Sequence, residues 1–201
     1  MVRVCPGALQ KLRQRETGEL PPRELPASVS RSRAASLGLS ATKLLEPTNQ
    51  GGGILWLDVD NVEHRYLLST TVNCTIAIYD VQMPSSREGP AEKHAALAVN
   101  HGNPRGRESA AGHKFSVSGC CWYPVDTGMF VTSSYDHTVK LWDTNCMQPA
   151  CEWDAGCKVY GVAMSPVVPS THCLVAAACD DHIVRLCDPQ SGGMAHTLNG
   201  P

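Results

Sequence analysis

Three segments of this chain can be laid over one another residue for residue, and that self-similarity limits its fold more than any other feature. VNCTIAIYD ends at Asp80, YDHTVKLWD at Asp143 and CDDHIVRLCD at Asp188. Seven positions before each terminal aspartate stands a turn former: Asn73, Asp136 or Asp181. Four and two positions before it stand apolar pairs, Ile76/Ile78, Val139/Leu141 and Val184/Leu186. Apolar residues two apart share one face of a β-strand, and a turn former ahead of them marks a tight entry. Upstream, ILWLDVD at 54–60, FSVSGCCWYP at 115–124 and VYGVAMSP at 159–166 read as first strands, followed by second strands at RYLLST, GMFVTSS and HCLVAAA. HAALAVN, QPACEWD and GMAHTL supply fourth strands. The expected body, 51–201, is all-β, with about three four-stranded units at 51–100, 112–154 and 155–200 and polar loops at 83–92 and 100–112.

The terminal aspartates lie 63 and 45 residues apart. The shorter interval fits the ~40–45 residue period of a WD repeat, whose four strands build one blade of a β-propeller. The longer one accommodates the insertions MPSSREGPAE and NHGNPRGRESAAG. The middle unit carries the Trp142-Asp143 dipeptide and places Gly112-His113 before its first strand. In this repeat class such a histidine, a hydroxyl on the second strand, the turn aspartate and the tryptophan form a hydrogen-bonded chain. His113, Ser134 (or its neighbour Ser133), Asp136 and Trp142 fill those places. Burying an imidazole, a carboxylate and an indole N–H is costly unless they satisfy one another, so these residues read as a blade staple. A Ser/His/Asp catalytic reading is disfavoured, because no G-x-S-x-G turn or oxyanion-hole motif accompanies them. Tyr79 and Cys187 replace the tryptophan in the flanking units, and Asn73 replaces one aspartate.

Ten cysteines raise the question of disulfides or metal. MVRVCPGALQKLRQRE lacks the apolar stretch of a secretory signal, which points to a reducing, intracellular setting. Structural zinc sites use close pairs such as C-x-x-C, and the gaps 146/151, 151/157, 173/179 and 179/187 are longer. The cysteines read as small buried hydrophobes, and no metal, cofactor or small-molecule substrate is expected; a zinc or thiol enzyme is the disfavoured alternative. The longest apolar run, CLVAAAC, is far short of the ~20 residues that span a bilayer. G-x-x-x-x-G-K and H-E-x-x-H are absent, and GGG at 51–53 lacks dinucleotide-loop spacing. A repeat scaffold without chemistry points to an interaction protein rather than an enzyme.

Residues 1–50 differ in texture, with eight Lys/Arg against four Asp/Glu, while 51–201 carries nine against fifteen. The acidic body disfavours direct DNA binding, and the basic arm offers at most a weak, salt-sensitive contact. Leu9 and Leu12 share one face of ALQKLRQRE, and Val29, Ala34, Leu37, Ala41 and Leu44 recur at near-helical spacing before Pro47. The arm reads as a poorly ordered tail, a short helical peptide that docks on a partner, or, less favoured given Glu16, Glu19 and Glu24, a transit peptide.

CWYPVDTGMFVTSSYDHTVKLWDTN at 121–145 resembles the corresponding blade of the Cockayne syndrome group A family of WD-repeat proteins. SPVVPSTHCLVA, VRLCDPQSG with its Leu-Cys-Asp, GGGILWLDV and RYLLS extend the likeness, and Arg13-Gln14 with Thr17-Gly18 and Leu37-Gly38-Leu39 trace it into the arm. The resemblance implies a seven-bladed propeller, of which three units are present here, and an origin as a truncated isoform or fragment. It implies a nuclear substrate-recognition subunit of a cullin-RING ubiquitin ligase in transcription-coupled nucleotide excision repair. Its partners would be the ligase's damage-binding adaptor, stalled RNA polymerase II and a repair ATPase; a product that occupies the adaptor without delivering substrate is the alternative. Receptors of this ligase class often carry Trp-Asp-x-Arg, whereas Gln82, Asn145 and Gln190 stand at the corresponding positions. Adaptor docking is therefore expected on the arm, at Leu9, Leu12, Arg13, Leu37 and Leu44.

Overall fold

A computed structural model describes residues 42–46, 52–88, 91–103, 111–165 and 173–199. Leu9, Leu12, Arg13 and Leu37 lie outside these residues. Strand β1 (Lys43–Leu45) is followed by β2 (Ile54–Val59), β3 (Tyr66–Thr71) and β4 (Ile76–Asp80), then by β5 (Ser86–Glu88), β6 (Ala91–His94) and β7 (Ala96–Asn100). The middle unit contains β8 (Val117–Trp122), β9 (Met129–Ser134), β10 (Thr138–Asp143) and β11 (Gln148–Asp154). The last contains β12 (Val159–Met164), β13 (Val175–Cys179), β14 (Ile183–Cys187) and β15 (Met194–Asn199). Three antiparallel four-stranded sheets result, β2-β3-β4-β7, β8-β9-β10-β11 and β12-β13-β14-β15. These are WD40 propeller blades, and among the described residues no helix is long and apolar enough to cross a membrane.

The blades repeat in their irregularities as well as in their order. Each first pair slips register at one place, between Ile54 and Trp56, Val117 and Gly119, and Val159 and Gly161. Each outer pair slips at the residue before the terminal aspartate, at Tyr79, Trp142 and Cys187. The turn between second and third strands places Cys74, His137 and His182 at φ of 63, 75 and 64°. Such left-handed residues are uncommon outside glycine, so their recurrence marks one turn geometry written three times. The terminal aspartates also share one task. Asp80, Asp143 and Asp188 each accept a hydrogen bond from the backbone N–H two residues on, at Gln82, Asn145 and Gln190. Their side chains start the turn that ends each third strand.

The sheet of the middle blade is buried on both faces. Phe130, Trp142, Cys120, Trp122 and Val117 pack with Leu68, Ile76 and Ile78 of the first blade. Val131, Val139, Leu141 and Trp153 pack with Val159, Val162, Val175, Ala177 and Cys187 of the third. Strand alternation sends neighbouring residues to opposite faces, so one sheet serves two interfaces. The outer faces of the flanking blades differ: Ile54, Leu57 and Val59 on β2 and Leu198 on β15 are exposed.

Two expectations need correction. The stretch 83–92, read as a loop, contains β5 and the start of β6, and β6 pairs with β5 on one side and with β1, in parallel, on the other. Leu44, counted on a helical face of the arm, is an exposed residue of β1. Spacing alone could not reveal this, because the hydrogen bonds of Lys43–Leu45 are satisfied by Glu92–His94, nearly fifty residues later. Tyr79 adds to the join by donating its hydroxyl to the Glu46 carbonyl at 3.2 Å. The body therefore begins at Thr42, ahead of the expected boundary at residue 50.

Candidate functional site

The middle blade holds a buried polar relay at the end where β8 begins. Gly112 approaches it with a φ of +152°, and a Cβ there would stand 2.6 Å from Gly102 Cα, so the backbone path requires glycine. The next residue, His113, is fully buried. Its Nδ1 lies 3.0 Å from Asp136 Oδ2 and its Nε2 lies 2.7 Å from Thr132 Oγ1. Trp142 Nε1 donates to the same Thr132 oxygen at 2.7 Å. An indole N–H can only donate and the Asp136 carboxylate can only accept, so Thr132 accepts from Trp142 and donates its O–H to His113 Nε2. That fixes the neutral tautomer with its proton on Nδ1, directed at Asp136.

Asp136 gathers further donors from the Lys114 and Thr138 amides and the Thr138 hydroxyl. Burial alone would raise its carboxyl, and the His113 and Thr138 contacts more than reverse this, leaving it well below the usual carboxylate range. Burial pushes the His113 imidazole down, overriding the attraction of Asp136. An ionised Asp136 beside a neutral His113 suits a one-directional relay. Both ring nitrogens of His113 are engaged, which leaves none to hold a metal or serve as a base.

The relay departs from the expected residues at one position. Ser134 does not take part; it donates to the Phe115 carbonyl at 3.0 Å and accepts from the Asp136 amide at 3.1 Å. The bridging hydroxyl belongs to Thr132. Alternation along β9 places Phe130 and Thr132 on the face of Trp142, while Ser133 turns to the third blade and hydrogen-bonds Ser118 at 3.0 Å. Ser134 lies on the same face as Thr132, so alternation alone does not choose between the two; the pairing of Phe130 with Trp142 across the sheet sets Thr132 nearer the tryptophan than Ser134.

At the opposite end of the blades, a cavity of about 230 Å³ opens between the first and second. Tyr66, Ile78, Leu97, Ala98 and Trp122 form its apolar lining, with Thr127, Thr144 and Asn145 as its polar lining. The wall is rigidly set. Trp122 donates its amide to Asp58 Oδ2 at 2.8 Å and its indole N–H to the Asp58 carbonyl at 3.2 Å. Asp60 holds the neighbouring loop by accepting the amides of Val62, Glu63, His64, Arg65 and Tyr66. Asp58 does not stand out in the sequence, because its partner Trp122 lies 64 residues away, whereas Asp60 acts on amides two to six residues on. Asn145, Gln82 and Gln190 are all exposed after their aspartates, and none supplies a guanidinium. The geometry offers a small open recess of mixed polar and apolar lining, and a buried staple whose polar groups are taken up by one another.

Comparison with known proteins bears on the repeat and the fold. Residues 107–143 match the WD domain, G-beta repeat family. The chain is 37% identical over 193 residues to the WD repeat-containing protein ATCSA-1 of Arabidopsis thaliana, covering 95% of this chain and 41% of that protein. It is 36% identical over 80 residues to radiation-sensitive protein 28 of Saccharomyces cerevisiae, covering 40% of this chain and 15% of the relative. This chain thus spans less than half the length of these curated relatives. Among solved structures, the RRP9 WD40 repeats match with a TM-score of 0.59 at 17% identity, over 77% of this chain and 40% of that one, a likeness of fold alone. Repeat match, structural likeness and three four-stranded blades together make this chain a WD40-repeat protein.

Proposed function

We propose that this chain acts as a nuclear protein-interaction scaffold of the Cockayne syndrome group A kind, a substrate-recognition element of a cullin-RING ubiquitin ligase in transcription-coupled repair. The observation that carries the reading is 37% identity to ATCSA-1 sustained over 95% of the chain, beyond the single matched repeat. Its partners in this reading are the ligase's damage-binding adaptor, stalled RNA polymerase II and a repair ATPase. The relay of the middle blade has no open catalytic group, and the surface presents apolar side chains at Leu97, Val125 and Leu44, features that suit binding. The exposed positions after the terminal aspartates favour a second reading. Without an arginine at Gln82, Asn145 or Gln190, the chain would occupy the adaptor through other residues and compete with a complete receptor.

The test is co-elution of the 201-residue chain with purified adaptor in gel filtration, followed by a reconstituted ubiquitylation reaction. Co-elution together with ubiquitin transfer to the repair ATPase is the expected outcome. Co-elution with inhibition of a complete receptor favours the competing reading, and absence of co-elution at tens of micromolar rejects both.

A further inference from the structure

The spacing of the cysteines speaks against a metal, but the fold assembles three donors that the sequence keeps apart. Cys157 precedes β12, Cys179 ends β13, and Asp181 lies in the turn that follows. Val159 pairs with Cys179 across the sheet, and Cys157 stands two residues before Val159 in the bend that leads into β12. Their sulfur atoms and a carboxylate oxygen of Asp181 all lie within 4.8 Å of one another. Both cysteines are partly buried and Asp181 is exposed, so the group has a lining and an open side.

We propose that Cys157, Cys179 and Asp181 form a site for a thiophilic divalent cation, with zinc as the fitting ion and water as the fourth ligand. A tetrahedral zinc with bonds of about 2.3 Å to sulfur and about 2.0–2.2 Å to oxygen needs donors about 3.5–3.8 Å apart. Side-chain rotation supplies the small contraction from the present arrangement.

Arg185 completes the electrostatics. Its Nη1 donates to Cys157 Sγ at 3.8 Å and to Asp181 Oδ1 at 2.9 Å, while Nη2 donates to Asp181 Oδ2 at 2.6 Å. Two thiolates and one carboxylate around a dication leave one negative charge, and the guanidinium offsets it. N–H donors to ligating sulfur and carboxylate are the outer partners that orient such ligands. The incoming cation displaces both thiol protons to solvent. Among the described residues, this is the trio with such geometry.

The probe is cobalt(II), titrated into the 201-residue chain under a phosphine reductant and displaced by zinc. One cobalt per chain is expected, with a sulfur-to-metal charge-transfer band and the visible bands of a tetrahedral ion. Cys157→Ser and Cys179→Ser should each abolish the band, Asp181→Asn and Arg185→Leu should weaken binding about tenfold or more, and Cys146→Ser should leave it unchanged. A second readout needs no variant: zinc should slow alkylation of Cys157 and Cys179 about tenfold while sparing Cys146, mapped by mass spectrometry. No stoichiometric band, a band retained in both serine variants, or equal labelling of all three cysteines overturns the proposal.

Discussion

The second and third blades share a backbone plan and differ in what fills it. Both run four antiparallel strands in sequence order, slip register at the same two places and turn through a left-handed histidine, His137 or His182. Where the second has Phe130, Thr132 and Trp142, the third has Val175, Ala177 and Cys187. In the second, Phe130 and Trp142 stack at 5.9 Å with planes 4° apart, Trp122 meets Phe130 edge-on at 5.8 Å, and His113 lies 6.0 Å from Trp142. The third has a valine, an alanine and a cysteine at the matching places, and among its described residues no such relay is formed. Strand alternation and turn chemistry therefore specify a blade, and the aromatic ladder with its polar relay adds stability to a sheet that forms without them.

The sharpest contrast comes from truncating the equivalent third-strand residues. Trp142→Ala removes a fully buried ring and should cost about 3–5 kcal/mol. Cys187→Ala removes one sulfur and should cost about 1 kcal/mol. Urea unfolding under reductant measures both, and equal losses would break the comparison. The hydroxyl comes next. Thr132→Val keeps the shape but leaves His113 Nε2 and Trp142 Nε1 buried without their partner, at about 1–3 kcal/mol for each group. Thr132→Ser should restore most of the loss, which separates the hydrogen bonds from packing.

The architecture was legible because it depends on local pattern. Ile76/Ile78, Val139/Leu141 and Val184/Leu186 announce strands, and Asn73, Asp136 and Asp181 announce their turns. Three of the four relay residues were legible for the same reason, since His113, Asp136 and Trp142 sit at marked places beside turns and strand ends. Ser134 was preferred to Thr132 because the two share one face of β9, and alternation cannot say which of them stands level with Trp142 and His113. β1 and the Cys157/Cys179 pairing were hidden for a different reason. Their partners are distant in sequence, and no periodicity within a segment encodes a contact between segments.

Acid offers a graded way to separate the two blades. Burial lowers the His113 imidazole, so the unfolded chain binds a proton that the folded one refuses. The stability contributed by neutral His113 is complete above the ordinary imidazole value of about 6.5 and declines as pH falls below it. Asp136, also depressed, acts in the same direction only in stronger acid, below the usual carboxylate range. Unfolding free energy should therefore fall between about pH 7 and 5, and His113→Gln should lower stability at neutral pH while flattening that slope. An unchanged slope in the variant would remove His113 as its source.

The smallest effect compares one glycine position in both blades. Gly119 and Gly161 each follow the register slip that opens the blade, and neither requires a left-handed backbone. A Cβ on Gly119 would stand 3.1 Å from Gly161 Cα, 3.1 Å from Ser133 Oγ and 3.3 Å from the Val162 amide nitrogen. The third blade leans against this spot, and two of those three atoms are its backbone, which cannot rotate aside. Gly119→Ala should cost about 1–3 kcal/mol through overpacking. A Cβ on Gly161 meets nothing within 4 Å. There alanine only restricts the unfolded chain, and Gly161→Ala should stabilise by about 0.4–1 kcal/mol. Opposite signs in the two melts would show that the blades differ by what covers them; a loss of equal size at Gly161 would show that this face is covered in solution.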